Sequence, residues 1–520
     1  MSRSVHVRWW PVVLIVLLSA GRWGQIWYLR DSDRQFKVQG TFQLLAVAVV
    51  LLLVWLLGFS RLRVRTRLLV LAAMLAGAGA SAALLRLRGV TGDRIPIFEW
   101  RWRHPATAPF RSAPDGHQLP ADDAGQPVAV RADFPQFLGP QRNGIIDGPA
   151  LETDWSKHPP QLLWRQAIGA GWAGFAVQGR FAVTLEQRDE REEIVCYDLL
   201  TGARRWAHGY AARFSESSAG LGPRTVPAIA DGQVFATGAT GILTCLDLAT
   251  GREVWHRDLM QEHGAQVPTW GFSGSPLVSE GKVIVTPGGA DGHSVAAYEA
   301  ATGQALWHGG DDRAGYSTPV LATLAGQPQV VVFSGSMVGG YDFQTGQPLW
   351  QHPIPTAAHV ANPLPVSPSQ LLVSCGYGIG TYLLGVEQSG AQPWAVTQIW
   401  KTPRLKSKFA NYFRIGECVY GLDDGRLVCL DLATGNLRWR GERYGHGQLL
   451  LVAGQLLVQA ENGEVILLEI TPDAARELGR FAAVTGKTWN PPALAGEYLL
   501  VRNDGEAACY RLPLLTPPPR

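Results

Sequence analysis

The chain is 520 residues long and carries 46 Lys and Arg against 43 Asp and Glu, a formal charge of +3. That balance gives no electrostatic footprint for nucleic acid, and six cysteines in so long a chain exclude a small disulfide scaffold. Fifty-nine glycines, 34 prolines and 19 tryptophans suit many tight turns beside many buried aromatics, as in repeated β-structure.

The first 94 residues read as a membrane anchor. Residues 41–59, TFQLLAVAVVLLLVWLLGF, and 68–85, LLVLAAMLAGAGASAALL, hold no charge and are long enough to span a bilayer. Residues 9–29 form a weaker first span, interrupted by Arg22. Residues 1–21 also fit a signal peptide, with a basic start, a short apolar run and Ser19-Ala20-Gly21. Two spans close behind favour a helix. Arg61, Arg63, Arg65 and Arg67 in one short loop predict that the loop is cytoplasmic, with the remainder beyond residue 85 periplasmic; Arg86, Arg88 and Arg94 pull the other way. Residues 95–103, IPIFEWRWR, are expected near the membrane surface, and 104–131, rich in Pro, Ala and Asp, as a tether.

From residue 133 onward one phrase recurs: YDLLTGARRW (197–206), LDLATGREVW (246–255), YEAATGQALW (298–307), YDFQTGQPLW (341–350) and LDLATGNLRW (430–439). The Gly takes the positive φ of a tight hairpin turn. The acidic side chain accepts backbone N–H bonds within the turn. The Trp stands on the next strand and fills the gap between stacked sheets. Two shorter strands precede each phrase, so each repeat is a four-stranded blade and 133–520 is an all-β propeller. The closing aromatics are Trp164, Trp206, Trp255, Trp307, Trp350, Trp400, Trp439 and Phe481. Trp164 comes too early to own a blade, so PQLLWRQ (161–167) is expected to complete the last one beside AACYRL (507–512). The count is eight blades, or seven if 385–400 is an insertion. Cys196, Cys245, Cys429 and Cys509 occupy matching third-strand positions and read as small buried apolar residues.

The Asp-x-x-Thr-Gly-x-x-x-Trp repeat resembles the tryptophan-docking repeat of pyrroloquinoline quinone (PQQ) propellers. That superfamily includes quinoprotein dehydrogenases and the outer-membrane assembly lipoprotein BamB. DFPQFLGPQRNG (133–144) is similar to the segment that opens many bacterial PQQ-like repeat proteins. The resemblance implies a bacterial membrane-anchored propeller on the periplasmic side of the inner membrane.

Any chemistry belongs to the non-repeated loops that lead into the inner strands and converge on the channel mouth. Aligned on those strands, Arg224, Tyr316, Lys408 and His446 share one level. Asn362, Gln448 and Asn490 share the next, with Trp172, Trp270, Asn411 and Trp489 nearby. The arrangement predicts a positive, aromatic-flanked mouth for a protein partner or a small ligand, or a channel whose polar groups bind water and one another. The first reading of function is a binding or scaffolding protein without a cofactor. The alternative is a PQQ-dependent dehydrogenase passing electrons to membrane quinone. It would use Ca²⁺, with Arg224 and Lys408 on quinone carboxylates and Trp172 or Trp489 stacked. Glu186, Glu216, Asn362 and Asn490 are candidate Ca²⁺ oxygens. No two cysteines are adjacent, so the vicinal disulfide of soluble dehydrogenases of that superfamily is missing. The twelve histidines show no local zinc spacing. GFSGS (271–275) lacks the strand-to-helix turn of a nucleophile elbow.

Overall fold

A computed structural model describes residues 7–102, 132–355, 358–388, 390 and 393–515. The chain forms two compact units, Met1–Ala106 and Thr107–Arg520. The expected tether at 104–131 lies outside the described residues.

In the first unit, three helices are long and apolar enough to cross a membrane: α1 (Trp10–Leu29), α2 (Arg34–Phe59) and α3 (Val64–Leu84). Nearly all their side chains face outward, so the apolar surface is unburied by protein, as a lipid-facing helix requires. The chain is membrane-associated through them. Trp27 Nε1 donates to Thr41 Oγ1 at 2.9 Å and Trp55 Nε1 to the Arg8 carbonyl at 2.8 Å, tying the first two helices together. Two details differ from the sequence reading. Arg65 and Arg67 lie inside α3, leaving Arg61 and Arg63 in the loop. Residues beyond α3 fold as a hairpin of β1 (Leu85–Val90) and β2 (Pro96–Trp100), so an anchor ending at 94 would cut through it. The alternating apolar and polar residues of 95–100 are a strand pattern, and β1 supplies the partner.

The second unit is an eight-bladed propeller. Blades 1–7 run in order from Ala176–Ala211, Ala228–Asp258, Leu277–Gly309, Val320–Pro353, Leu364–Thr402, Phe413–Arg443 and Gln448–Ala482. Blade 8 combines Ala493–Arg511 with Gln161–Ala167 as its outer strand, with Cys509 opposite Trp164. Residues 385–400 are no insertion: Gly380–Glu387 and Ala395–Thr402 are the outer strands of blade 5, which removes the seven-bladed alternative.

Every repeated phrase builds the same turn. In blade 2, Asp247 Oδ1 accepts from Thr250 N at 2.8 Å and Thr250 Oγ1 at 2.6 Å, and Gly251 N donates to the Asp247 carbonyl at 2.8 Å. A bulge follows on the fourth strand of every blade, its extra residue just before the Trp in seven blades and just before Gly479 in blade 7. Each Trp then reaches the next blade. Nε1 of Trp164, Trp206, Trp255, Trp400 and Trp439 donates to the carbonyls of Leu199, Leu248, Ala300, Leu432 and Thr471 at 2.8–3.0 Å. Two depart. Trp307 lies against Gly346 with its Nε1 unbonded. Trp350 donates to Gln329 of its own blade at 2.6 Å, because blade 5 lacks the Thr-Gly turn it would dock on. Cys196, Cys245, Cys429 and Cys509 stand directly opposite docking tryptophans, where a small side chain fits, and all six cysteines are buried.

One segment crosses the ring. Phe134 bridges to Val177 on the inner strand of blade 1, and the Pro135 carbonyl accepts from Ile229 of blade 2 at 2.7 Å. Arg142 Nη2 donates to the Pro276 carbonyl before blade 3 at 3.0 Å. Ile145–Ile146 then pairs in parallel with Leu451–Val452 on the inner strand of blade 7. Residues 133–146 therefore brace inner strands on opposite sides of the ring at the end away from the mouth loops.

Candidate functional site at the channel mouth

The polar residues expected at the deeper level of the mouth form a circumferential belt. Val226 N donates to Ser275 Oγ at 2.9 Å, Ser275 N to Thr318 Oγ1 at 3.0 Å, Thr318 N to Asn362 Oδ1 at 3.0 Å and Asn362 N to Asn411 Oδ1 at 2.8 Å. Gln448 Nε2 donates to the Phe409 and Trp489 carbonyls at 3.1 and 2.8 Å, and Asn490 Nδ2 to those of Gly171 and Ala173 at 3.1 and 2.7 Å. Trp172 N to the Pro223 carbonyl, 2.8 Å, joins blade 1 to blade 2. Most inner strands start just beyond a Pro, and in blades 3, 4, 5 and 8 the residue before it, Ser275, Thr318, Asn362 or Asn490, carries a short polar side chain bonded to an adjacent blade, the preceding one for the first three and the following one for Asn490. Each of these bonds satisfies a loop backbone group that no strand ladder reaches.

Above the belt the remaining candidates fall into two aromatic groups. In one, Trp489 lies 4.9 Å from both Trp172 and Phe409, and Phe409 lies 5.7 Å from His446. Lys487 Nζ covers both indoles, 4.7 Å from Trp172 and 4.1 Å from Trp489. Glu461 holds this group from below, accepting from Trp489 Nε1 at 2.8 Å and His446 N at 3.1 Å. In the other, Trp270 meets Tyr316 at 5.0 Å and Tyr377 at 6.2 Å. Lys408 Nζ lies 5.6 Å from the Tyr377 ring and 3.2 Å from Asp424 Oδ1.

Arg224 is packed over Phe214 at 4.7 Å, bonds the Gly222 carbonyl and faces Glu216 at 3.7 Å. Burial lowers its pKa to about 10, only partly offset by Glu216, Glu192 and Tyr316. Burial likewise raises the Tyr316 hydroxyl. Sequence reasoning missed Lys487 and Phe409, which sit in the same loops but off the aligned levels, and Tyr377 and Glu461, which sit in the turns between the second and third strands of blades 5 and 7. It also missed Arg142, whose guanidinium burial pushes down to about 9 with no acidic partner to oppose it.

A profile of the family described as outer membrane protein assembly factor BamB matches residues 158–268 and 190–370. The outer membrane protein assembly factor BamB of Shewanella oneidensis is 25% identical over 297 residues, covering 54% of this chain and 71% of that protein. The quinohemoprotein alcohol dehydrogenase of Comamonas testosteroni is 34% identical over 118 residues, which span 21% of this chain and only 16% of that enzyme. The crystal structure of the Comamonas testosteroni enzyme superposes with a TM-score of 0.54 at 13% identity, over 75% of this chain and 82% of that one, a likeness of fold.

Proposed function

Because this chain is a PQQ-like repeat propeller protein, of the superfamily that holds BamB and the quinoprotein dehydrogenases, we propose that it serves as a membrane-anchored periplasmic binding or scaffolding protein. Its helices would hold the propeller on the periplasmic face of the inner membrane. The observation that carries this reading is the commitment of the mouth's polar groups. Asn362, Asn411, Gln448 and Asn490 bond neighbouring blades, while Arg224 and Lys408 already face Glu216 and Asp424. What the mouth offers a partner is a rim of half-buried aromatic faces, Trp489 and Phe409 in one group, backed by the buried Trp172, and Trp270, Tyr316 and Tyr377 in the other. Aromatic surfaces with little side-chain freedom are the usual anchors of protein interfaces.

The dehydrogenase reading draws on the 34% identical stretch shared with the Comamonas testosteroni enzyme. The residues named for its Ca²⁺ do not fit that role as they are arranged. Glu186 accepts from Gly169 N, Arg188 and the Tyr197 hydroxyl; Glu216 accepts from Ser218 N and Ala219 N; Asn362 and Asn490 belong to the belt on blades 5 and 8. No adjacent cysteines are present to back a quinone.

The test is a titration of PQQ with Ca²⁺ into the full chain in detergent, followed by tryptophan fluorescence and calorimetry. The scaffold reading expects no saturable binding. One-to-one binding that is lost in Arg224→Ala would overturn it in favour of the dehydrogenase.

A further inference from the structure

Three histidines outside the mouth groups converge on one edge of blade 3. His263 ends the short helix α4 (Leu259–His263), His293 lies in the loop after the second strand of the blade, and His308 lies on its outer strand, Ala305–Gly309. His263 Nδ1 faces His293 Nδ1 at 2.9 Å. The rings of His293 and His308 stack at 4.1 Å with planes 15° apart. Two ring nitrogens aimed at each other need a proton or a cation between them.

The surrounding bonds decide which nitrogens carry lone pairs. The Tyr298 hydroxyl donates to Glu262 Oε2 at 2.9 Å, so it accepts from His263 Nε2 at 2.7 Å. His263 therefore presents its lone pair at Nδ1. His308 Nδ1 donates to the Gly292 carbonyl at 2.9 Å, which leaves its lone pair at Nε2. Metal-bound imidazoles are tied in this way, their far N–H held by a carboxylate-backed group or a carbonyl.

We propose that His263, His293 and His308 form a binding site for a divalent transition-metal ion of the zinc class. The ion takes His263 Nδ1 and His293 Nδ1, and the exposed His308, stacked on His293, completes the set once its side chain turns away from its bond to Gly292. Three imidazoles with a fourth position open suit Zn²⁺, and the all-nitrogen donor set disfavours Ca²⁺ or Mg²⁺. Bound there, the ion would staple α4 to the loop carrying His293 and to the outer strand of blade 3. The ligands lie 30 and 15 residues apart, beyond any local spacing motif.

The experiment uses the full chain in detergent, purified without a polyhistidine tag and stripped with a chelator. Zn²⁺ is titrated in competition with a chromophoric chelator, and Co²⁺ is followed by its visible absorption. The expected result is one equivalent of Zn²⁺ and an intense low-symmetry Co²⁺ band. His263→Ala and His293→Ala should weaken binding by more than about 100-fold and His308→Ala by about 10-fold. His256→Ala, an exposed histidine paired with Glu253, should leave it unchanged. If His263→Ala fails to fold, the exposed His308→Ala is read in its place. Absence of stoichiometric binding to the wild-type chain, or binding that survives His293→Ala, would overturn the proposal.

Discussion

Gly251 sits at φ +70°, and a Cβ added there would stand 2.5 Å from Cδ2 of Trp206 in the preceding blade. Gly232, in another turn of the same blade, has nearly the same φ, +73°, with nothing within 4 Å of that position. The two glycines separate two reasons for the residue. Gly232→Ala costs only the left-handed strain of an alanine, about 1–2 kcal/mol. Gly251→Ala adds a collision with an indole that is itself hydrogen-bonded to Leu248, a further 1–3 kcal/mol or so. Chemical denaturation of the full chain in detergent, followed by tryptophan fluorescence, reads the difference. Equal losses would mean that docking does not constrain the turn. From the sequence, the phrase disclosed the positive φ and the docking Trp, but not that the Gly of one blade is the floor for the Trp of another. That contact joins residues about 45 positions apart, and no local pattern encodes it.

At the scale of the turn, the acidic residue is the pivot. Asp198 accepts from Leu200 N at 3.1 Å and Thr201 N at 3.0 Å and also meets Arg180 at 2.9 Å and Arg205. Burial alone would raise its pKa, but the bonds from Arg180, Arg205 and Thr201 outweigh it and hold the carboxylate below its usual value. The stabilisation is therefore complete above the unfolded value of about 3.9 and is lost as pH falls through the lowered folded value. Asp198→Asn should cost about 1 kcal/mol at pH 7, since both arginines are partly solvent-screened. The gap should stay constant through mildly acidic pH and close once the wild-type carboxylate is protonated; a pH series of unfolding midpoints measures it. The sequence made these elements legible because Asp, Thr and Gly each do one local job. It left the belt as one of two readings of the same residues. Asn362, Asn411, Gln448 and Asn490 could face a ligand or one another, since polar side chains at a channel read the same whether they face a ligand or a neighbouring blade's backbone.

For the molecule as a whole, closure was readable in Trp164 and the strand that carries it, yet the partners that lock it were not. Arg502 is fully buried where blade 8 meets blade 1, donating to Thr184 Oγ1 at 2.6 Å and to the Leu185 and Gly169 carbonyls at 3.0 and 3.2 Å. Arg502→Ala would strip donors from buried carbonyls and should destabilise the ring by about 3 kcal/mol or more, seen as a lower unfolding midpoint. Arg142 stands in the opposite relation to stability. It belongs to the segment that crosses the ring, makes one bond to Pro276, and leaves Nη1 without a hydrogen-bond partner among the described residues. With its folded pKa pushed down to about 9 by burial, the unfolded chain binds the extra proton more readily between that value and the ordinary guanidinium value. Stability should therefore rise with pH across that range, and below it the charge counts fully against the fold. Arg142→Met should raise stability at pH 7 by about 1–3 kcal/mol, with the advantage shrinking above pH 9. A gain of that kind would mark Arg142 as a charge kept in the ring at a cost, as functional groups often are. A loss would mean that its bond to Pro276 braces blade 3 more than the burial of its charge opposes it, and the residue would then belong to the architecture alone.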